Sequence, residues 1–421
     1  MSNQINSTLG DLVKAGGGII HTGPFGSQLH AEDYVAQGIP CIMPANMRDN
    51  RVDLSNISFI SDEDAQRLSK YLVKEGDIVY SRRGNVTLKA LIRKNEVGYF
   101  CGTGCLLLRP GNLLDSGYLT YYLSTPKIQS WIISQAIGAT MPNLNTGILA
   151  RIPFSGPEKA IQEKISSVLK DIDDKLELNN RINTELEAMA KTLYDYWFVQ
   201  FDFPDANGKP YKNSGGKMKY DPTLKREIPA GWSVTNIGSI TKTVLGGTPS
   251  TENDDYWKNA NIPWLSSAET ASFPVVSSEQ MITSSGIENS SATLLSKGTV
   301  VISIVRYIRP SILGIDAATN QSVVGIRESD IYKSSFIYPY FCSEVPRLMG
   351  LRTGAQQPHI NKGVIDESPI ALPPSSTLVE YYKLANPVFD KIMAVAFQNH
   401  ELVRLRDWLL PLLMNGQVTV K

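Results

Sequence analysis

Hydrophobic residues in one stretch of this chain recur every three or four positions: Ile161, Ile165, Val168, Ile172, Leu176, Ile182, Leu186, Met189, Leu193 and Tyr196. The spacing keeps one apolar seam on one helical face through about five heptads. It predicts a long helix from Gly156 to Phe203, with Pro157 suited to the first turn and no further Gly or Pro before Pro204. At about 1.5 Å per residue the rod is roughly 60 Å long, more than a compact domain needs to cover its core, so it calls for a partner. That partner lies in the same chain. A shift of 216 positions (168 to 384) takes Val168, Ile172, Leu176, Leu186, Met189 and Leu193 onto Leu384, Val388, Ile392, Leu402, Leu405 and Leu409, in a second helical stretch from Ser375 to Met414. The predicted seam sets Ile172, Leu176, Asn179, Ile182 and Leu186 against Val388, Ile392, Val395, Gln398 and Leu402. Its polar interruptions, Asn179 and Gln398, are suited to fixing register at some cost in stability.

The same shift pairs GATMPNLNTG (138–147) with GAQQPHINKG (354–363). With gaps, GIPCIMPANM at Gly38 matches NIPWLSSAE at Asn261, and VKEGDIVYSRRG at Val73 matches LSKGTVVISIVR at Leu295. The chain is therefore two copies of one unit, a globular domain followed by a long helix. Short apolar runs at Ile39 to Met43, Ile57 to Ile60, Asp77 to Tyr80, Ala90 to Ile92 and Leu106 to Leu108 predict a small mixed sheet in the first copy. GYLTYYLSTPKIQSWIISQAI predicts a helix closing that domain, and Phe201 to Trp232, rich in Lys, Gly, Pro and Asn, predicts a surface loop into the second copy.

Candidate chemistry is sparse. The glycines of GDLVKAGGGIIHTGPFGSQLH form no GxGxxG or GKS/GKT phosphate loop, and there is no HExxH, Walker pair or adenine-methylase motif. Four cysteines, Cys41, Cys101, Cys105 and Cys342, show no zinc-site spacing and read as buried free thiols. Catalytic and metal-ligating residues are therefore expected to be absent. The polar candidates are of another kind. SRRGNVTLKALIRK gathers Arg82, Arg83, Asn85, Lys89, Arg93 and Lys94, and the second copy has Arg306, Tyr307 and Arg309 after VVISIV. Before each long helix lies an amide-rich loop with Asn143 and Asn145 in one copy and Gln356, Gln357, His359 and Asn361 in the other. Basic groups suit phosphates, and amides suit adenine in the major groove. Asn145 and Asn361, at matched positions, are better placed to cap the following turn. The unlike residues inside that shared frame are where readers of two different sequences would differ.

Charge tempers this reading. Lys plus Arg and Asp plus Glu are 41 each, and residues 1–155 carry 14 basic and 12 acidic side chains. Binding to duplex must then work through local patches or through positive charge borrowed from a partner. No window is apolar enough to cross a bilayer and no signal peptide opens the sequence, so a cytoplasmic protein without membrane contact is expected.

LYDYWFVQFDFP followed by GKPYKNSGGKM and REIPAGW resembles the central region of specificity subunits of type I restriction-modification systems, and the order of domain, loop, long helix, domain, loop and helix is similar over the whole chain. The resemblance implies an α+β fold: two similar mixed α/β target-recognition domains (1–155 and 200–373, the latter with its linker), joined by an antiparallel pair of long helices (156–199 and 374–421) as a coiled coil with a pseudo-two-fold repeat. Each domain would read one half of a bipartite, asymmetric double-stranded DNA target. The helices would set the spacer and dock two modification (methyltransferase) subunits, with restriction (motor-nuclease) subunits completing the complex. S-adenosylmethionine, ATP and Mg would belong to those partners, leaving no cofactor and no catalytic residue in this chain. Two half-sites one helical turn apart, roughly 34 to 36 Å, are within reach of such a rod. The competing readings are a stand-alone methyltransferase or nuclease and a coiled-coil adaptor.

Overall fold

The computed structural model describes residues 4–136, 138 and 142–420. The chain divides into two compact units, Met1–Lys175 with Val403–Lys421 and Leu176–Leu402, so each long helix contributes a segment to each unit.

The first unit is built on an antiparallel sheet of β1 (Ile19–Thr22), β2 (Ile78–Ser81), β3 (Lys89–Leu91) and β4 (Cys105–Arg109), in the order β1-β4-β2-β3. β2 is buried along its whole length and β4 nearly so, because both faces are covered, which is why they read as unbroken apolar runs. Alternate residues go to opposite cores. Ile78, Tyr80, Leu106 and Leu108 pack under the helices, whereas Val79, Cys105 and Leu107 pack against a second sheet of Phe100–Cys101, Ile39–Ile42, Ser58–Ile60 and Tyr34–Val35. The single closing helix expected from the sequence is two, α1 (Ser116–Tyr122) and α2 (Pro126–Gln135). Thr125 Oγ1 donates to the Tyr122 carbonyl at 2.7 Å, and Pro126, unable to continue a helix, starts the next one. Asn145 caps α3 (Thr146–Ala150), its Oδ1 accepting from Ile148 N at 2.8 Å. The strand Ile5–Thr8 pairs with Pro153–Gly156.

The first long helix, α4 (Lys159–Tyr194), ends in a π-helical turn, Asp195–Val199. Within the first unit Ile165 and Leu169 share a core with Leu413 and Met414 of the second long helix, while Arg406 Nη1 lies 3.1 Å from Asp173 Oδ1, so the two run antiparallel there.

The second unit repeats the plan. β5 (Thr243–Leu245), β6 (Val300–Ser303), β7 (Arg309–Ile312) and β8 (Val323–Ile326) form a sheet in the equivalent order β5-β8-β6-β7. A second sheet joins Gln280–Ile282, Ile262–Leu265 and Ala318–Thr319, and Ser233–Asn236 pairs with Pro369–Leu372. One helix, α5 (Ser334–Gly350), stands where the first unit has α1 and α2. Asn361 caps α6 (Lys362–Asp366) through Val364 N at 3.1 Å, the counterpart of Asn145.

The second long helix is α7 (Ser375–Met414). In the second unit Asn179 Nδ2 donates at 2.8 Å both to Gln398 Oε1 and to Asn399 Oδ1, and Trp197 and Phe198 pack against Tyr381, which again fixes an antiparallel course. Asn179, Ile172, Ile392 and Val395 are buried; Leu176, Ile182, Leu186, Val388 and Leu402 are half-buried, and Gln398 is exposed although paired. The wider seam needs correcting. Met189, Leu384 and Leu405, which the heptad spacing placed in it, are 57%, 52% and 42% exposed. A straight helix drifts about 20° per heptad against a 3.5 repeat, and past Leu186 the inward face passes to Ala190 and Tyr194, which pack into the second unit's core.

The expected surface loop between the copies is a second correction. It holds a hairpin, Met218–Asp221 with Arg226–Pro229, and its aromatics are structural: Phe203 stacks on Tyr211 at 4.8 Å and on Trp232 at 5.4 Å, beside Trp197 and Phe198. Asp202 is buried and accepts from Asn213 N and Nδ2 at 2.9 and 2.7 Å. Lysine-rich composition hid an aromatic spacing of Phe201, Phe203, Tyr211 and Trp232. Of the cysteines, Cys41, Cys101 and Cys105 are buried free thiols, whereas Cys342 is exposed.

Candidate nucleic-acid interface

In the first unit β1 and β2 both run antiparallel to β4, so their C-terminal ends share one edge of the sheet. Backbone bonds gather four turns there. Gly23 N donates to Cys105 O at 2.9 Å and Arg82 N to Gly104 O at 2.8 Å. The turn between β2 and β3 is laced to the loop before α3: Leu144 N donates to Arg82 O at 2.8 Å, Gly84 N to Pro142 O at 3.2 Å, and Arg83 bridges Asn143.

The second unit has the same edge. Gly246 N donates to Val323 O at 2.9 Å and Ile304 N to Ser322 O at 2.9 Å; Ile360 N donates to Ile304 O at 3.0 Å, Arg306 N to Pro358 O at 2.8 Å, and Val305 bridges His359. The basic turns and the amide-rich loops, separate in sequence, are thus one surface in each unit. Both turns need a left-handed residue at the same place. Gly84 (φ +73°) supplies it without cost, whereas Arg306 (φ +62°) carries a penalty of roughly 1–2 kcal/mol, offset in part by Arg352, whose guanidinium donates to the Arg306 carbonyl.

Arg83 and Asn85 are exposed on the first edge, Arg82 and Asn143 are half-buried there, and Asn85 Oδ1 shapes the turn by accepting from Thr87 N and Oγ1 at 3.1 and 2.7 Å. Arg306, Tyr307, Arg309, Gln356, Gln357 and His359 are exposed on the second, with His359 Nδ1 3.0 Å from the Gln357 carbonyl. Ala139, Thr140 and Met141 of the first loop lie outside the described residues.

Three members of the first basic run are misplaced by the sequence reading. Arg93 and Lys94 follow β3, which leads away from the edge, so they lie at the opposite end of the hairpin. Lys89 sits in β3 at 3% exposure with its ammonium 5.9 Å from the Tyr80 ring centroid, and cannot face DNA. Burial pushes its pKa down to about 7. Between about pH 7 and pH 10 the unfolded chain binds a proton that the folded chain does not, so stability climbs as pH rises through that window. Lys89→Met is expected to abolish that climb and to stabilise the chain at pH 7 by about 1–4 kcal/mol, measured by urea unfolding at several pH values. An unchanged pH slope would show that Lys89 is solvated.

Sequence reasoning missed Phe25 and Gln321, both exposed on the turns after β1 and before β8. An aromatic in a glycine-bounded turn carries no signal separating it from packing, and the pairing of β1 with β4 is what brings it to this edge. Among the described residues no group of three or more His, Cys, Asp or Glu is placed to hold a metal, and no helix is long and apolar enough to cross a membrane.

The type I restriction modification DNA specificity domain model matches residues 4–188 and again 229–397. The chain is 25% identical over 93% of its length to the type I restriction enzyme MjaIX specificity subunit of Methanocaldococcus jannaschii, covering 89% of that protein. It is 22% identical over 90% of its length to the HindI specificity subunit of Haemophilus influenzae, covering 94% of it. Its fold is similar to the crystal structure of the type I restriction-modification system S subunit from M. genitalium, with a TM-score of 0.61, 15% identity, and coverage of 98% of this chain and 96% of that one.

Proposed function

The chain belongs to the type I restriction modification DNA specificity family, with two copies of its domain, and we propose from that premise that it selects the DNA target of such a system, each unit reading one half of a bipartite, asymmetric sequence. The observation that carries this reading is the duplicated edge: one backbone scaffold, laced by equivalent hydrogen bonds in both units, displays Arg82, Arg83, Asn85 and Asn143 in one and Arg306, Tyr307, Arg309, Gln356, Gln357 and His359 in the other. A shared frame with unlike polar side chains is what reading two different half-sites requires.

The partners are two modification subunits and the restriction subunits of the system. S-adenosylmethionine, ATP and Mg are theirs, this chain contributes no catalytic group, and the complex works in the cytoplasm. A formal charge of zero fits a reader whose phosphate neutralisation is shared with partner subunits. Both long helices run through both units, which supports their setting the unread spacer.

Methyl transfer to a duplex library separates this from a stand-alone enzyme. Modification subunits are expected to methylate one bipartite motif only when this chain is added, and the chain alone is expected to transfer nothing and bind no S-adenosylmethionine. Transfer by the chain alone would overturn the reading.

A further inference from the structure

We propose that Phe25 and Arg82 form a single reading element in the first unit, the guanidinium taking one guanine of the first half-target and the ring holding it in place; this rests on the function proposed above. The Arg82 guanidinium lies over the Phe25 ring at 5.8 Å from its centroid, and that ring is 54% exposed. An aromatic so open on a polar edge gains little by burial. Over its face it can hold a guanidinium flat, which fixes a side chain that would otherwise lose much rotamer freedom on binding. A planar guanidinium held that way presents its remaining N–H groups as a fork, the geometry that bonds guanine O6 and N7 together.

Two further observations point the same way. Arg82 Nε is buried without a hydrogen-bond partner, a cost that simple surface display would not require. The second unit builds the same couple from different positions: Arg309 lies over the Tyr307 ring at 5.0 Å, and Tyr307 is 60% exposed. One guanidinium-on-ring pair thus stands on each edge. Phe25 comes from the turn after β1 and Arg82 from the end of β2, and the lacing of Arg82 N to Gly104 and of Arg82 O to Leu144 N fixes the backbone beneath the guanidinium. Phe25 is held by its own turn, its N donating to Gln28 Oε1 at 3.3 Å and its O accepting from Gln28 N at 2.8 Å.

The test is methyl transfer by the complete complex into duplexes randomised at every target position, comparing wild type with Phe25→Ala, Phe25→Tyr and Arg82→Lys. Arg82→Lys, which keeps the charge and loses the fork, is expected to reduce discrimination at one guanine of the first half-target by about tenfold or more. Phe25→Ala is expected to relax that same position, Phe25→Tyr to retain it, and none of the three to alter the second half-target. If Phe25→Ala leaves the motif unchanged, or lowers transfer evenly across all sequences, the couple is not a reader and this inference fails. If the wild-type complex itself shows no bipartite motif, it is the proposed function that fails. Circular dichroism and melting of each variant, expected to match wild type, exclude misfolding as the source of a changed motif.

Discussion

Replacing residues 200–373 with the corresponding segment of another family member is expected to switch one half of the recognised target completely and to leave the other half as it was. Every element of the second edge, from β5 through the loop before α6, lies inside that segment, and every element of the first, from β1 through α3, lies outside it. Each mismatched base pair costs about 1–3 kcal/mol, roughly additively, so a half-site of several pairs should shift in preference by several orders of magnitude. The exchanged segment has to keep Phe201, Phe203 and Trp232, because they pack beneath Trp197 and Phe198. Competition binding with duplexes altered in either half reads the result. An unchanged target would mean that the domains are passive and the helices alone matter.

Phe198→Ala is expected to have the largest effect on stability. The ring is 3% exposed and meets Tyr381 at 4.7 Å, Phe336 at 4.9 Å, Tyr194 at 5.0 Å and Trp232 at 5.9 Å, so it joins both long helices, the linker and α5 of the second unit. Truncating a buried Phe costs roughly 3–5 kcal/mol, because a cavity opens as well as apolar burial being lost. For a unit of this size that is a fall in melting midpoint on the order of 10 °C. Calorimetry should show it, with hydrogen exchange placing the loss within Leu176–Leu402. A cost under about 1 kcal/mol would mean that this cluster is not the core that anchors the second unit.

The architecture was legible because the repeat is written in two independent alphabets. Helical spacing marked α4 and α7, and Gly, Pro and Asn at matched positions marked the turns, with Asn145 and Asn361 capping equivalent helices. What failed was whatever depends on facing. Lys89 looked like part of a basic surface, but it pairs with Tyr80 of β2 in a sheet covered on both faces, so its side chain is buried. Met189 and Leu405 fit a heptad, but a helix that also covers a domain does not keep one seam. The candidate edge was legible in pieces only: Arg82 and Pro142 are 60 positions apart (142 minus 82), and nothing local in the sequence says that their neighbourhoods are laced together.

The central claim is that one chain carries two dissimilar readers on one duplicated scaffold. Single-molecule methylation sequencing of DNA from cells that make this chain with its modification subunits tests it most directly. The account predicts a methylated base in each of two short, unlike sequences separated by a run of unspecified bases of fixed length. A single uninterrupted motif, or two identical halves, would contradict it.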